Sequence, residues 1–289
     1  MLVTHKIAWD KCLSHQLWPA IEKGWKDEGR EVHFFWGLAG KNIEGIRQCM
    51  QNNIEWWYVD VGYITEQITR YPEPIIHNYD KTYFRICKGG IHTNKFHVVS
   101  PDRWNILEKQ GIDCHFKGWR DSGDYILLCP SSPTVTYHIN GISQEEWIKQ
   151  VGEEIRKHTD RRIILRPHPG DKNAINTYLP RLQQHFKNFP SVKIGRLETP
   201  LDDDLRKAWA VVNHNSSSVV GPIIQGYHSF ITDKETSQCA EVSHTDFSLI
   251  ETPQQFDRQK WLERISMFHW KFSELKDGTC WRHMRNYCQ

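Results

Sequence analysis

None of the eight cysteines (Cys12, Cys49, Cys87, Cys114, Cys129, Cys239, Cys280, Cys288) has a partner at CxxC spacing. The ligand spacing of a zinc site is therefore missing, and no metal is expected. No signal-peptide pattern opens the sequence, so reduced cytosolic thiols are the expectation. Long hydrophobic runs are missing too: the longest, such as residues 125–130, fall far short of the roughly 20 residues that cross a bilayer. Basic amphipathic helices that would dock on a membrane surface are absent. Neither sign of charge dominates. Lys plus Arg number 37 against 35 Asp plus Glu, a net charge of +2, which argues against a protein that coats a polyanion over its whole surface. No internal repeat or low-complexity tract is visible. A soluble, cytoplasmic protein with no membrane partner is expected.

Aromatic and histidine side chains are plentiful. Thirteen Trp, ten Tyr and twelve Phe in 289 residues can fill a large core, which excludes wholesale disorder and suits one or two domains. The 16 His residues add local positive charge or serve as acids, bases and phosphate ligands near neutral pH.

Short strand-like runs alternate with amphipathic stretches. Glu31-Val-His-Phe-Phe-Trp36 reads as a buried strand, 43–51 as a helix with Ile43, Ile46 and Met50 on one face, and 54–60 as a second strand closed by Gly62. This is the βαβ pattern of a parallel sheet. Residues 65–97 read as polar and irregular, with Pro72, Pro74 and the Gly89-Gly90 turn, followed by a helix near 102–110. The turn-rich stretch 118–123 reads as a linker. A second alternation follows: a strand at 125–130, a helix at 144–158 capped by Ser143, a strand at 162–165, a third at 192–194, a helix near 202–208, a strand at 210–213, a short helix at 219–225 and a strand at 229–232. Residues 259–285 read as mostly helical. The expected class is α/β, with two Rossmann-like domains facing across a cleft: 1–120, 121–257, and a helical segment 258–289.

Ligands of such sheets sit beyond the carboxyl ends of the strands, and that is where the informative residues fall. Arg166-Pro-His-Pro-Gly170 follows a strand directly. Its prolines stiffen the backbone, so Arg166 and His168 are presented to an anion; a Pro-rich turn with solvated charges is the plain alternative. Asn213-His-Asn-Ser-Ser-Ser218 follows another strand and precedes a helix. Hydroxyls and free backbone N–H groups there suit a phosphate, although a serine cap would look the same. Together the two turns are expected to grip a diphosphate from neighbouring strand tips. Gly37-Leu-Ala-Gly-Lys41-Asn42 lacks the GxxxxGK[ST] spacing of a P-loop; it allows a ligand close approach or is simply a tight turn.

Leu165-Arg-Pro-His-Pro169, Val212-Asn-His-Asn-Ser-Ser-Ser218 and Gly226-Tyr-His-Ser-Phe230, taken together, resemble the carboxyl domain of GT-B glycosyltransferases. The likeness is to capsule-polysaccharide-type transferases and related bacteriophage sugar transferases. It covers roughly residues 125–240, plus a tail (His269-Trp-Lys-Phe-Ser-Glu274, Gly278-Thr-Cys-Trp281) that looks like the family's helical ending, which packs back on the amino-terminal domain.

The resemblance implies a carboxyl domain that binds a nucleotide-diphosphate sugar, a UDP-sugar first of all, as co-substrate, with no cofactor and no metal. Arg166, His168, His214, Ser216, Ser217 and Ser218 would meet the diphosphate. Ser131 and Ser132 would line the nucleotide pocket, and Glu241 or Glu235 would hold the ribose. On the acceptor side stand Gly37, Lys41, Tyr63, Arg85, Lys88 and His92. Their aromatic and basic mixture suits a phosphate backbone and a displaced base, and the resemblance to bacteriophage sugar transferases implies a hydroxymethylated pyrimidine in phage DNA, such as 5-hydroxymethylcytosine, as the expected acceptor. A polysaccharide or lipid-linked acceptor and a nucleotide-sugar epimerase are the alternatives. If transfer inverts configuration, Asp60 at the end of its strand is the candidate base; a turn-capping Asp is the equal alternative.

Overall fold

Large apolar residues at every second position build the first sheet. Val32, Phe34 and Trp36 on one strand, Trp57, Val59 and Val61 on the next, and Phe84 and Ile86 on a third share one core, since alternate residues of a pleated strand face the same side. These positions come from a computed structural model, which describes residues 1–5, 11–26, 29–38, 40–64, 82–92, 95–112, 114–138, 141–168, 171, 174–188, 192–194 and 200–288. Pro72, Pro74, Ala39, Pro169 and Gly170 of the sequence motifs lie outside the described residues.

Ten strands are described: β1 (Leu2–His5), β2 (Val32–Trp36), β3 (Glu55–Val61), β4 (Tyr83–Lys88), β5 (Tyr125–Cys129), β6 (Arg162–Leu165), β7 (Val192–Ile194), β8 (Ala208–Asn213), β9 (His228–Ile231) and β10 (His269–Lys271). They form two five-stranded sheets, ordered β1-β2-β3-β4-β10 and β7-β6-β5-β8-β9. The chain divides into two units, Met1–Cys114 with Gln259–Gln289, and His115–Arg258. Among the described residues no helix is long and apolar enough to cross a membrane.

In the first unit β1, β2 and β3 run parallel, whereas β4 is antiparallel to β3 and β10 is antiparallel to β4. The sheet is therefore mixed rather than purely parallel. Strand β4 corrects the irregular reading of 65–97: Tyr83 to Cys87 are buried in the middle of the sheet. Arg85 hides the pattern in the sequence, because a central strand seldom carries a cation. It is tolerated because its guanidinium donates to Asp60 Oδ2 at 3.1 Å and to the carbonyls of Ile91 and Val61 at 3.1 and 3.3 Å. The largely helical reading of 259–285 likewise missed β10, which pairs Trp270 with Phe84.

Helix Asp102–Lys109 is tied to the C-terminal segment by Arg103, which is 1% exposed. Its Nε donates to the His269 carbonyl at 2.9 Å, and its terminal nitrogens reach both oxygens of Glu274 at 2.6 and 2.7 Å. The guanidinium also lies 3.9 Å from the Trp270 ring centre. His269 is fully buried. Its Nδ1–H donates to the Ile265 carbonyl at 2.6 Å, and its Nε2 accepts from the Tyr63 and Ile64 amides at 2.6 and 3.2 Å. Burial pushes its pKa down to about 3, so the ring is neutral.

In the second unit all five strands are parallel. Ile126, Leu128, Ile163, Leu165, Ala210, Val212 and Phe230 form one face of this sheet's core, covered by Trp147, Ile148, Val151 and Ile155. Those four residues recur at helical spacing on Gln144–Arg156, and the Ser143 hydroxyl caps that helix by accepting the Glu146 N–H at 3.1 Å. The stretch read as a linker is held against this unit: the Lys117 and Arg120 amides donate to the Ile224 and Gly226 carbonyls at 3.0 and 2.8 Å.

Candidate functional site

The first strand of the second unit, β5, stands in the middle of its sheet. The chain builds outward to β6 and β7, then crosses to β8 and β9 on the other side. The order reverses between β5 and β8, and at such a switch point the loops leaving adjacent strands diverge and open a crevice at the carboxyl ends. Among the described residues four loops leave this edge: Pro130–Ser132 after β5, Arg166–His168 after β6, His214–Ser218 after β8 and Thr232–Thr236 after β9. The two turns singled out in the sequence do not leave neighbouring strands, because β5 lies between β6 and β8. With strands about 4.8 Å apart, their tips stand about 10 Å from each other, and the β5 loop occupies the middle.

Hydrogen bonds stitch the loops of β5, β8 and β9 together. The Ser131 hydroxyl donates to Asn215 Oδ1 at 2.8 Å, and Gln144 Nε2 donates to the Ser131 carbonyl at 2.8 Å. Asn215, fully buried, donates from Nδ2 to Thr236 Oγ1 at 2.8 Å and to Asp233 Oδ2 at 3.3 Å. Asp233 Oδ1 accepts the backbone N–H groups of Glu235 and Thr236 at 3.0 and 2.9 Å. The Asn213 carbonyl oxygen of the side chain accepts the Ser216 N–H at 2.9 Å. Its amide nitrogen, also buried, finds no acceptor among the described residues.

His214 heads the loop after β8. Its Nδ1 is 2.6 Å from Thr232 Oγ1, and its Nε2 is 3.8 Å from Asp233 Oδ2. Burial lowers its pKa more than the Asp233 charge raises it, so the ring is neutral near pH 7.

The other expected donor-side residues take differing positions. Ser216 Oγ accepts the Ser218 N–H at 3.2 Å and lies 2.9 Å from Ser218 Oγ, so Ser216 caps the following turn. Ser217 is exposed and Ser218 partly so. Ser131 is 2% exposed and engaged with Asn215; Ser132 Oγ accepts the Val135 N–H at 3.3 Å. Ser131 therefore acts from behind, fixing the β8 loop. His168 is partly exposed at the β6 tip. Arg166 departs from the sequence expectation: it is 7% exposed, and its guanidinium pairs with Asp204 in helix Leu201–Leu205. Its charge is thus answered within the protein rather than held out to an anion. Glu241 is exposed in a short turn at 240–242. The carboxylate that the fold does bring to the strand tips is Asp233, which the sequence reading passed over, along with Thr232 and Thr236; Asn215 was quoted there only as part of the serine turn. The available signal was position, since Thr232 and Asp233 immediately follow the last strand.

No protein-family model matches the chain, and no curated protein sequence matches it. Solved structures do. KpsC beta Kdo 2,7 transferase of Thermosulfurimonas dismutans is 13% identical over 94% of this chain and 92% of its own, with a TM-score of 0.51. KpsC beta Kdo 2,4 transferase of the same organism is 11% identical over 93% and 91%, with a TM-score of 0.50. A UDP-GlcNAc 2-epimerase of Methanocaldococcus jannaschii is 13% identical over 81% and 74%, at a TM-score of 0.37. The chain has the GT-B fold of the two transferases.

The GT-B unit that carries the amino terminus holds the residues expected on the acceptor side, and here the structure departs from expectation. Arg85 is 4% exposed and lies between the rings of Tyr58 and Tyr63, 5.3 and 4.7 Å from their centres. The Tyr63 hydroxyl donates to the His92 carbonyl at 2.8 Å, and His92 is 7% exposed. Tyr63, Arg85 and His92 thus form an internal cluster rather than a surface that meets DNA. Asp60 belongs to it: Oδ2 accepts from Arg85 and from the Tyr58 hydroxyl at 2.8 Å, while Oδ1 accepts the Val61 N–H at 2.8 Å. A carboxylate with all these partners is a poor base, because each bond stabilises its ionised form. Lys41 is exposed beside helix Asn42–Gln51, Gly37 takes a positive φ of 62° at the end of β2, and Lys88 is partly exposed at the end of β4. Among the described residues no group of three or more His, Cys, Asp or Glu side chains is arranged to hold a metal ion.

Proposed function

We propose that the chain is a glycosyltransferase that holds a nucleotide-activated sugar, first of all a UDP-sugar, at the carboxyl edge of the β5–β9 sheet. The observation that carries this reading is the placement of Ser217, Ser218 and His168 on loops that leave the strand tips on either side of the switch point, with Ser131, Asn215 and Asp233 tying the loops after β5, β8 and β9 together. Neutral donors held by a rigid frame suit a phosphate whose charge grows as the sugar leaves. In the transfer, an acceptor hydroxyl oxygen bonds to the anomeric carbon and loses its proton to the departing phosphate or to water, the bond from that carbon to the phosphate oxygen breaks, and the nucleotide departs with the electron pair. The shared fold supports the reading, since both similar solved structures are named as Kdo transferases. The acceptor enters only as a hydroxyl compound. Hydroxymethylated DNA keeps Lys41 and Lys88 as its support, with Arg85, His92 and Tyr63 engaged internally.

Isothermal titration with nucleoside mono- and diphosphates tests the donor half. UDP binding is expected, with His168→Ala and Ser218→Ala each weakening it by about 1.5–3 kcal/mol, the scale of hydrogen bonds to a charged group. No binding by any nucleotide would overturn the transferase reading. Mass spectrometry after incubation with a donor panel, and with either hydroxymethylated DNA or oligosaccharide as acceptor, then identifies the product.

A further inference from the structure

Thr232 joins two side chains that share no other described partner. The Trp147 indole N–H, on helix Gln144–Arg156, donates to Thr232 Oγ1 at 2.8 Å. The same oxygen lies 2.6 Å from His214 Nδ1. An indole nitrogen can only donate, so it takes one lone pair of the hydroxyl and leaves the hydroxyl proton to be placed. On its far side His214 turns Nε2 toward the Asp233 carboxylate, 3.8 Å away. A carboxylate only accepts, and a bare imidazole lone pair facing it would be repelled.

We propose that Trp147 and Thr232 are positioning residues that fix the tautomer of His214, with the Thr232 hydroxyl donating to Nδ1 and the imidazole proton held on Nε2 toward Asp233. The proposal rests on the donor-site reading above and names the residues that hold that site in register.

The hydrogen bonds then run from the Trp147 N–H to the Thr232 hydroxyl and on to His214 Nδ1, while His214 Nε2, which makes no hydrogen bond to a described residue, keeps its proton toward the Asp233 carboxylate 3.8 Å away. Asp233 also accepts from Asn215, and Asn215 accepts from Ser131. One chain of side chains thereby connects the loops after β5, β8 and β9 with the helix that covers their sheet. Among the described residues, the groups facing His214 are Trp147 from the helix, with ring centres 6.0 Å apart, and Thr232 and Asp233 from the β9 loop. Asp233 is the charged one among them. Burial holds His214 neutral, which is the state the chain requires, since a neutral ring has one donor and one acceptor. Trp147 is 3% exposed whereas Thr232 is exposed at the strand tip, so Thr232 can be changed without opening the core.

The test is nitrogen NMR of the full chain labelled at histidine, with His214→Gln used to assign the His214 signals. The wild type is expected to show one neutral tautomer, protonated at Nε2. Thr232→Val removes the donor to Nδ1 while Asp233 stays, so the tautomers should mix and the titration midpoint should rise by about half to one pH unit, the scale of one neutral hydrogen bond. Thr232→Ser keeps the hydroxyl and should restore the wild-type spectrum and midpoint, which a purely steric role would not require. An Nδ1-protonated tautomer in the wild type, or a Thr232→Val spectrum and midpoint equal to wild type, would overturn the proposal. UDP titration on the same samples separates the two readings. No UDP binding beside the expected NMR pattern rejects the nucleotide site and upholds the relay; the converse rejects the relay alone.

Discussion

Arg103→Met is the substitution that most directly probes how the C-terminal segment is held. Arg103 makes two hydrogen bonds to the His269 carbonyl and two to Glu274, at 1% exposure. Methionine fills a similar stem volume but leaves the carboxylate and the carbonyl unanswered. Breaking one side of a buried ion pair costs about 3–5 kcal/mol. Glu274 keeps 13% exposure and still accepts the Lys271 N–H at 2.7 Å, so the lower end, about 3 kcal/mol, is expected. Glu274→Leu alone strands the guanidinium and should cost at least as much. The double variant Arg103→Met with Glu274→Leu removes both charges and should cost clearly less than the two single losses together. Native-state hydrogen exchange can read each unit separately. Amides of β4 and β10 should lose roughly 100-fold in protection, the equivalent of about 3 kcal/mol, while β5 and β8 change little. A loss below about 1 kcal/mol in the single variant, strict additivity in the double, or equal loss in both sheets would refute the reasoning.

Two further expectations concern stability. His269 has its pKa lowered to about 3 and His283 to about 4 by burial, so the unfolded chain binds protons there from about pH 6.5 downward while the folded chain does not. Stability from these groups is complete above about pH 6.5 and falls toward their folded values, by up to about 1.4 kcal/mol per pH unit for the fully buried His269 and by less for the partly solvated His283; urea midpoints unchanged from pH 7 to pH 4.5 would contradict this. Gly226 has a φ of 88°, and an added methyl group would strike the Gly118 carbonyl, whereas Gly221 in helix Val220–Ile224 has open space. Gly226→Ala should therefore cost at least about 1–2 kcal/mol from the left-handed backbone alone, while Gly221→Ala should be neutral or stabilising by up to about 1 kcal/mol; thermal melts that rank the two the other way would refute the packing argument.

The amino-acid order by itself determined the local elements of the second unit. Strand and helix periodicity is carried by neighbours a few residues apart, so a strand at 125–130, a helix at 144–158 with its Ser143 cap and a strand at 210–213 were visible as apolar spacing, although β8 begins at Ala208, which was read as the end of the preceding helix. It also placed Ser131, His168 and Asn213–Ser218 just beyond strand ends. Only the tertiary structure decided which charges were spoken for. Arg166 meets Asp204 across 38 residues, and Arg103 meets Glu274 across 171; no spacing rule reaches that far. Strand order was likewise beyond local pattern: β5 lies between β6 and β8, and β4, broken in the sequence by Arg85, becomes a central strand because Asp60 sits opposite it in register. Periodicity is a property of the adjoining backbone, whereas a buried cation is tolerated only where folding supplies its partner, and that partner is chosen by the packing of distant segments.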